Sequence, residues 1–132
     1  MFRAKEIMKT KVITVKKTTD TYEAIRILVE NNITGLPVVN DDMTLAGIIS
    51  EKDVLRLLYD MEDKPGSVEN FMTEDVISFD QEDSLIDIAE SFIKYDFRRV
   101  PILDEGKLVG ILSRTDVIAC ILKLRHKNKA AV

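Results

Sequence analysis

Leu45-Ala46-Gly47-Ile48-Ile49-Ser50-Glu51-Lys52-Asp53-Val54 is answered 63 positions later by Leu108-Val109-Gly110-Ile111-Leu112-Ser113-Arg114-Thr115-Asp116-Val117. Each stretch runs from an apolar, β-branched segment through Ser-x-x-Asp into a second apolar segment, the pattern of a strand that turns directly into a helix. Working outward, Pro37 returns as Pro101, Met8, Val12 and Ile13 return as Met72, Val76 and Ile77, and Thr14 returns as Ser78, now at an offset of 64. One residue is therefore missing from the second hairpin. Identities held in register over this length mark two homologous units, residues 1–63 and 64–132. The joint falls where Lys64-Pro65-Gly66-Ser67 breaks the hydrophobic period.

The remaining elements follow from the two copies together. Val12-Ile13-Thr14-Val15 and Val76-Ile77-Ser78-Phe79 are expected as short strands. Leu85, Ile88, Ala89, Phe92 and Ile93 recur at helical spacing, with Ala24, Ile25, Leu28 and Val29 as their counterparts. Asp20 with Glu23 and Ser84 with Asp87 are expected to close capping boxes at those two helix starts. Leu36-Pro37-Val38-Val39 and Leu45 to Ile49 flank the turn Asn40-Asp41-Asp42, and Val100-Pro101-Ile102-Leu103 and Leu108 to Leu112 flank Asp104-Glu105-Gly106, one hairpin per unit. A last helix carries Val54, Leu55, Leu57 and Leu58, or Val117, Ile118, Ile121 and Leu122. The fold class is α/β (α+β), two β-α-β-β-α repeats. A unit of about 60 residues is marginal alone, so the two are expected to pack sheet against sheet about a pseudo-twofold axis, with ligand clefts between them.

Composition narrows the function. The 132 residues carry net charge −4, with 45% hydrophobic and 32% charged residues, those of an ordinary globular protein. The longest charge-free stretch, Asn31 to Asn40, contains Gly35 and Pro37, far short of the roughly 20 apolar residues of a membrane span. Charges in Met1-Phe2-Arg3-Ala4-Lys5-Glu6 occupy the place of a secretory signal's apolar region, and a cytoplasmic location is expected. The negative charge disfavours nucleic acid, and the basic tail of Lys123, Arg125, His126, Lys127 and Lys129 reads as a solvated end that complements the dipole of the last helix, or else as a weak anion or partner contact. The lone His126 lies in that tail and the lone Cys120 in an apolar helix without a nearby base, so neither nucleophilic nor zinc chemistry has its parts. The chain is expected not to be an enzyme.

The order strand, helix, strand-Pro, hairpin, Gly-x-x-Ser-x-x-Asp and helix, present twice, resembles a tandem pair of CBS domains, a Bateman module. The residues that carry the likeness are Ile33-Thr34-Gly35-Leu36-Pro37-Val38-Val39 with Gly47 to Asp53, and Phe97-Arg98-Arg99-Val100-Pro101-Ile102 with Gly110 to Asp116. That resemblance implies an adenosyl ligand, AMP, ADP, ATP or S-adenosylmethionine, and admits Mg²⁺ beside a polyphosphate. It also implies a homodimer of modules and regulation of an effector protein in trans.

The motif has its own physics. Ser50 and Ser113 stand at helix starts, where hydroxyl and free backbone N–H groups suit a phosphate, while Asp53 and Asp116 suit the vicinal hydroxyls of a ribose. Gly47 and Gly110 would let a nucleotide come close to the backbone. Gly35, Leu36 and Pro37, with Val100 and Pro101, would wall an adenine slot, and Thr14 and Ser78 would bond base or ribose. Arg98, Arg99 and Arg114 near the second motif, and Lys52 beside the first, are the candidate phosphate contacts. The competing reading gives Ser50-x-x-Asp53 and Ser113-x-x-Asp116 no task beyond helix capping, which would leave a ligand-free structural or oligomerisation module.

Overall fold

The computed structural model describes residues 2–59 and 66–130, with side chains to residue 126. The expected joint between residues 63 and 64, with Lys64 and Pro65, lies outside the described residues, as do the side chains of Lys127 and Lys129. The elements are α1 (Ala4–Ile7), β1 (Val15–Lys16), α2 (Thr21–Asn31), β2 (Gly35–Val39), β3 (Leu45–Ser50), α3 (Glu51–Arg56), β4 (Phe79–Asp80), α4 (Leu85–Lys94), β5 (Arg99–Asp104), β6 (Lys107–Ser113) and α5 (Arg114–Ala130), with a 3₁₀ turn at Val68–Asn70. Two three-stranded sheets result, ordered β1-β2-β3 and β4-β5-β6.

Each first strand is shorter than its β-branched run, for a reason the proline supplies. Val15 pairs in parallel with Val38 and Lys16 with Val39, while Phe79 pairs with Ile102 and Asp80 with Leu103. One step earlier Thr14 would face Pro37 and Ser78 would face Pro101. Proline has no N–H to give a ladder, so Thr14 and Ser78 precede the strands instead of lying in them.

The capping boxes divide two and two. Asp20 accepts from Tyr22 N and Glu23 N, but the Glu23 carboxylate pairs with Arg26 instead of returning to the cap. Ser84 Oγ accepts from Ile86 N at 3.2 Å, a single-sided cap rather than the expected reciprocal one. Ser50 with Asp53 and Ser113 with Asp116 close both halves.

The two compact units are not the two sequence repeats. One unit comprises Met1–Val12, Ile77–Glu105 and Val109–Val132, the other Ile13–Val76 and Gly106–Leu108. A segment that begins each repeat, the lead, is thus counted with the sheet of the other repeat. In the unit built on β4-β5-β6, Ala4 N donates to Asp83 O at 2.9 Å, Lys5 N to Gln81 O at 3.0 Å, and Lys9 exchanges both backbone bonds with Ile111 at 2.9 Å. Ala4 is fully buried with Ile88, Val100, Ile102 and Leu112. In the unit built on β1-β2-β3, Val68 N donates to Thr19 O at 2.9 Å, Glu69 N to Lys17 O at 3.1 Å, and Thr73 exchanges bonds with Ile48 at 2.8 and 2.9 Å. Val68 is fully buried with Ala24, Leu36, Val38 and Ile49. Burial stabilises by about 1.5–3 kcal/mol for a side chain such as that of Val68 and by about 0.8 kcal/mol for a single methyl such as that of Ala4, which helps hold each lead in place.

Candidate functional site

The first Ser-x-x-Asp motif forms where β3 runs into α3 without a loop. Gly35 pairs with Ser50 across the hairpin, so the start of β2 and the end of β3 meet at the motif. Ser50 Oγ accepts from Asp53 N at 3.2 Å, and Asp53 Oδ2 accepts from Ser50 N at 2.8 Å and from Ser50 Oγ at 2.9 Å. Thr73, from the docked lead, reaches the same carboxylate, its hydroxyl 3.0 Å from both Oδ1 and Oδ2. Arg56 Nη1 adds a contact to Oδ1 at 3.4 Å. The Asp53 side chain is left 3% exposed.

The second motif, where β6 enters α5, repeats the box but not its surroundings. Asp116 Oδ2 accepts from Ser113 N at 2.9 Å, and Ser113 Oγ accepts from Asp116 N at 3.1 Å. The Ser113 hydroxyl is otherwise engaged with Thr115 Oγ1, 2.9 Å away. In the place corresponding to Thr73 stands Lys9, whose Nζ lies 3.7 Å from Asp116 Oδ1 with 72% of its side chain exposed. Asp116 keeps 15% of its side chain exposed. Chemically, this carboxylate presents an oxygen to solvent beside a largely exposed cation, whereas that of Asp53 is saturated by donors of its own unit.

Several expected site residues serve other purposes. Arg114 donates from Nε to Phe97 O at 2.9 Å and from Nη2 to Phe92 O at 3.1 Å and Tyr95 O at 3.0 Å. Its guanidinium closes the C-terminal end of α4, and so is committed to carbonyls rather than held open for a phosphate. Leu36, Pro37, Val100 and Pro101 are buried in the cores of their units. Arg98 is exposed and Arg99 half-buried at the start of β5, in the same unit as Asp116 and Ser78, and Arg98 O accepts from Arg114 N at 3.0 Å. Thr14 is half-buried and Lys52 exposed, in the unit of Asp53.

The motif glycines also have a packing task within each unit. A Cβ on Gly47 would stand 2.7 Å from Thr73 O and 2.9 Å from Met72 Sδ, and one on Gly110 would collide with Met8 Sδ and come within 3.1 Å of Lys9 O. Their missing side chains make room for the leads. Lys9 and Thr73 are the residues that sequence reasoning missed. The signal was a glycine in mid-strand together with Met8 and Met72 at matching positions, which called for a backbone to lie across each glycine.

Burial pushes the Cys120 thiol up from its ordinary value, and with 1% exposure it is a core residue. Among the described residues no group of three or more His, Cys, Asp or Glu side chains could hold a metal ion. None of the described helices is long and apolar enough to cross a membrane.

A doubled β-α-β-β-α unit with Ser-x-x-Asp at the last helix start defines a class, and comparison with known proteins places the chain within it. The CBS domain family matches residues 4–60 and again 68–123, and the chain belongs to that family as a tandem pair. It is 40% identical over 114 residues to the Methanocaldococcus jannaschii protein MJ1225, covering 86% of this chain and 41% of that protein. It is 31% identical to the chloroplastic CBS domain-containing protein CBSX1 of Arabidopsis thaliana, covering 86% of this chain and 61% of that one. The chain thus spans about two fifths to three fifths of the length of these relatives. Among solved structures, CBSX2 in complex with AMP superposes with a TM-score of 0.87 at 31% identity, over 95% of this chain and 99% of that one. The CBS domain pair of MJ0100 in complex with 5′-methylthioadenosine and S-adenosyl-L-methionine superposes at 0.80 and 28% identity, over 92% and 96%.

Proposed function

We propose that this chain is a regulatory module that binds an adenosyl ligand, AMP, ADP, ATP or S-adenosylmethionine, and passes its bound state to a partner protein in trans. The observation that carries the reading is the likeness, across 95% of the chain, to a CBS pair solved with AMP. Asp116 supplies the chemistry, a partly open carboxylate oxygen for a ribose diol next to a cationic Lys9 for a phosphate. A polyphosphate would bring its own Mg²⁺. The role is regulatory rather than catalytic and cytoplasmic, and a ligand acts on a partner only insofar as the partner distinguishes the two states.

The test is thermal unfolding with AMP, ADP, ATP and S-adenosylmethionine, backed by calorimetry. Ligand at about 100 times its dissociation constant adds roughly 2.7 kcal/mol, a rise of several degrees. Asp116→Asn is expected to abolish the rise. No heat and no shift with any of the four compounds overturns the reading.

A second reading, an oligomerisation module that holds no ligand, draws on one specific observation. Leu55, Leu58 and Tyr59 along and just beyond α3 are 56%, 69% and 88% exposed, and their counterparts Ile118, Ile121 and Leu122 on α5 are 63%, 60% and 70% exposed. Apolar triplets repeated at the same helical positions suit a homodimer under either reading. Sedimentation of Leu58→Glu and Ile121→Glu, each expected to shift a dimer to monomer, decides that point.

A further inference from the structure

Asp53 and Asp116 are the same residue in the two repeats, yet they are not equally available. Both oxygens of Asp53 face the Thr73 hydroxyl at 3.0 Å, and the carboxylate also accepts from Ser50 N, Ser50 Oγ and Arg56 Nη1. Four donors on one carboxylate, with 3% of the side chain exposed, leave no direction from which a diol could donate. Asp116 has one oxygen bound to Ser113 N, and its other oxygen meets a largely exposed Lys9 at 3.7 Å, longer than a hydrogen bond. The difference comes from one position, Thr73 in one lead and Lys9 in the other. Both leads are held by paired backbone bonds, Thr73 to Ile48 and Lys9 to Ile111, so the side chains are presented alike and differ in what they do.

We propose that Thr73 is a built-in competitor for the Asp53 carboxylate, closing the first motif and leaving Asp116 with Lys9 as the receptive one. The proposal rests on the reading that a nucleoside is held at these carboxylates, and it names which of the two holds it and what excludes the other. A ligand can take Asp53 only by displacing one of its four donors, and exchange with the Thr73 hydroxyl trades one hydroxyl donor for another with no gain in charge-assisted bonds. A ligand at Asp116 displaces only a solvated lysine, an interaction of small net worth, and its phosphate retains the cation. Position 9 and position 73 then set selectivity: lysine favours a phosphorylated nucleoside, threonine favours an empty motif.

Two measurements decide this. In the first, AMP is titrated calorimetrically into wild type, Asp53→Asn, Asp116→Asn, Thr73→Ala and Lys9→Thr. The expected result is one AMP per chain in wild type, unchanged within about twofold in affinity by Asp53→Asn and lost in Asp116→Asn. Lys9→Thr is expected to weaken it by about tenfold, the scale of one charge-assisted contact, and Thr73→Ala to add a second equivalent. Two equivalents in wild type, or loss of binding in Asp53→Asn with Asp116→Asn intact, overturns the proposal. In the second, amide hydrogen exchange is followed without ligand. Thr73→Val is expected to speed exchange at Ile48 and Thr73 by about tenfold, while Lys9→Met leaves Ile111 and Lys9 within about twofold. Equal responses at the two places overturn the competitor even where AMP binds. If none of AMP, ADP, ATP and S-adenosylmethionine binds any variant, the functional reading fails on its own, and the exchange result still decides whether Thr73 holds Asp53.

Discussion

The two leads do the same structural work with different chemistry. The lead docked in the β4-β5-β6 unit is charged where it touches: Arg3 and Lys5 both reach Glu82, at 3.2 and 2.6 Å, and Lys9 reaches Asp116. The lead docked in the β1-β2-β3 unit is held by hydroxyls, Thr21 Oγ1 donating to Gly66 O at 2.7 Å and Thr73 Oγ1 to Asp53. Thr18 stands where the other copy has Glu82. Backbone bonds and an apolar plug, Ala4 or Val68, are common to both. After duplication, then, the framework of an interface was kept while its polar contacts diverged, and the divergence falls on the residues next to the motif carboxylates.

The largest expected difference lies at the glycines. Gly47→Ala drives a Cβ against the backbone oxygen of Thr73, whereas Gly110→Ala meets chiefly the flexible Met8 side chain. Overpacking costs of this kind run about 1–3 kcal/mol, and chemical denaturation is expected to place Gly47→Ala near 3 and Gly110→Ala near 1. Equal losses would mean the two leads are seated with equal rigidity. Next come the carboxylates: Asp53→Ala removes the acceptor for four donors and is expected to cost about 2–3 kcal/mol, against about 1 kcal/mol for Asp116→Ala, where a cap is lost. A reversed order would break the comparison outright.

The smallest effect is a dependence on pH. The Lys5 hydrogen bond, with the charges of Lys5 and Arg3, holds the Glu82 carboxyl below its ordinary value of 4.5. A lowered folded-state value means the contribution is complete above the ordinary value and is lost as pH falls through the lower folded one. Below about pH 4.5 the Ala4 and Lys5 amides are therefore expected to lose protection from exchange before those of Val68 and Glu69, and high salt is expected to act in the same direction. Identical protection of the two pairs across that range would show that Glu82 does not help seat the first lead.

Much of this was legible in the sequence. The offset of 64 and then 63 located both sheets and helices α2 to α5, because β-branched runs, capping residues and helical periods are local signals. The Ser-x-x-Asp boxes were legible for the same reason. The exchange of leads was not, since Arg3 with Ser84 and Lys9 with Ile111 are bridges between residues far apart that share no period. A repeat found by self-comparison assigns each segment to its own copy, whereas packing assigned it to the other. Arg114 misled for a related reason: its charge suggested an anion, but the carbonyls it satisfies at the end of α4 become neighbours only in the folded unit.

The reciprocal leads also bear on how the chain reaches its native state as it leaves the ribosome. Residues Phe2 to Lys9 are made long before Ile111, yet the strand they complete is not finished until Ile111 has been made. The β1-β2-β3 sheet, by contrast, gains its own lead as soon as Thr73 emerges. Ala4 must therefore wait, exposed, until β6 has been made, and closing so long a loop is a slow step in any chain. A chaperone or a slow codon would have the most to protect in residues 2–9.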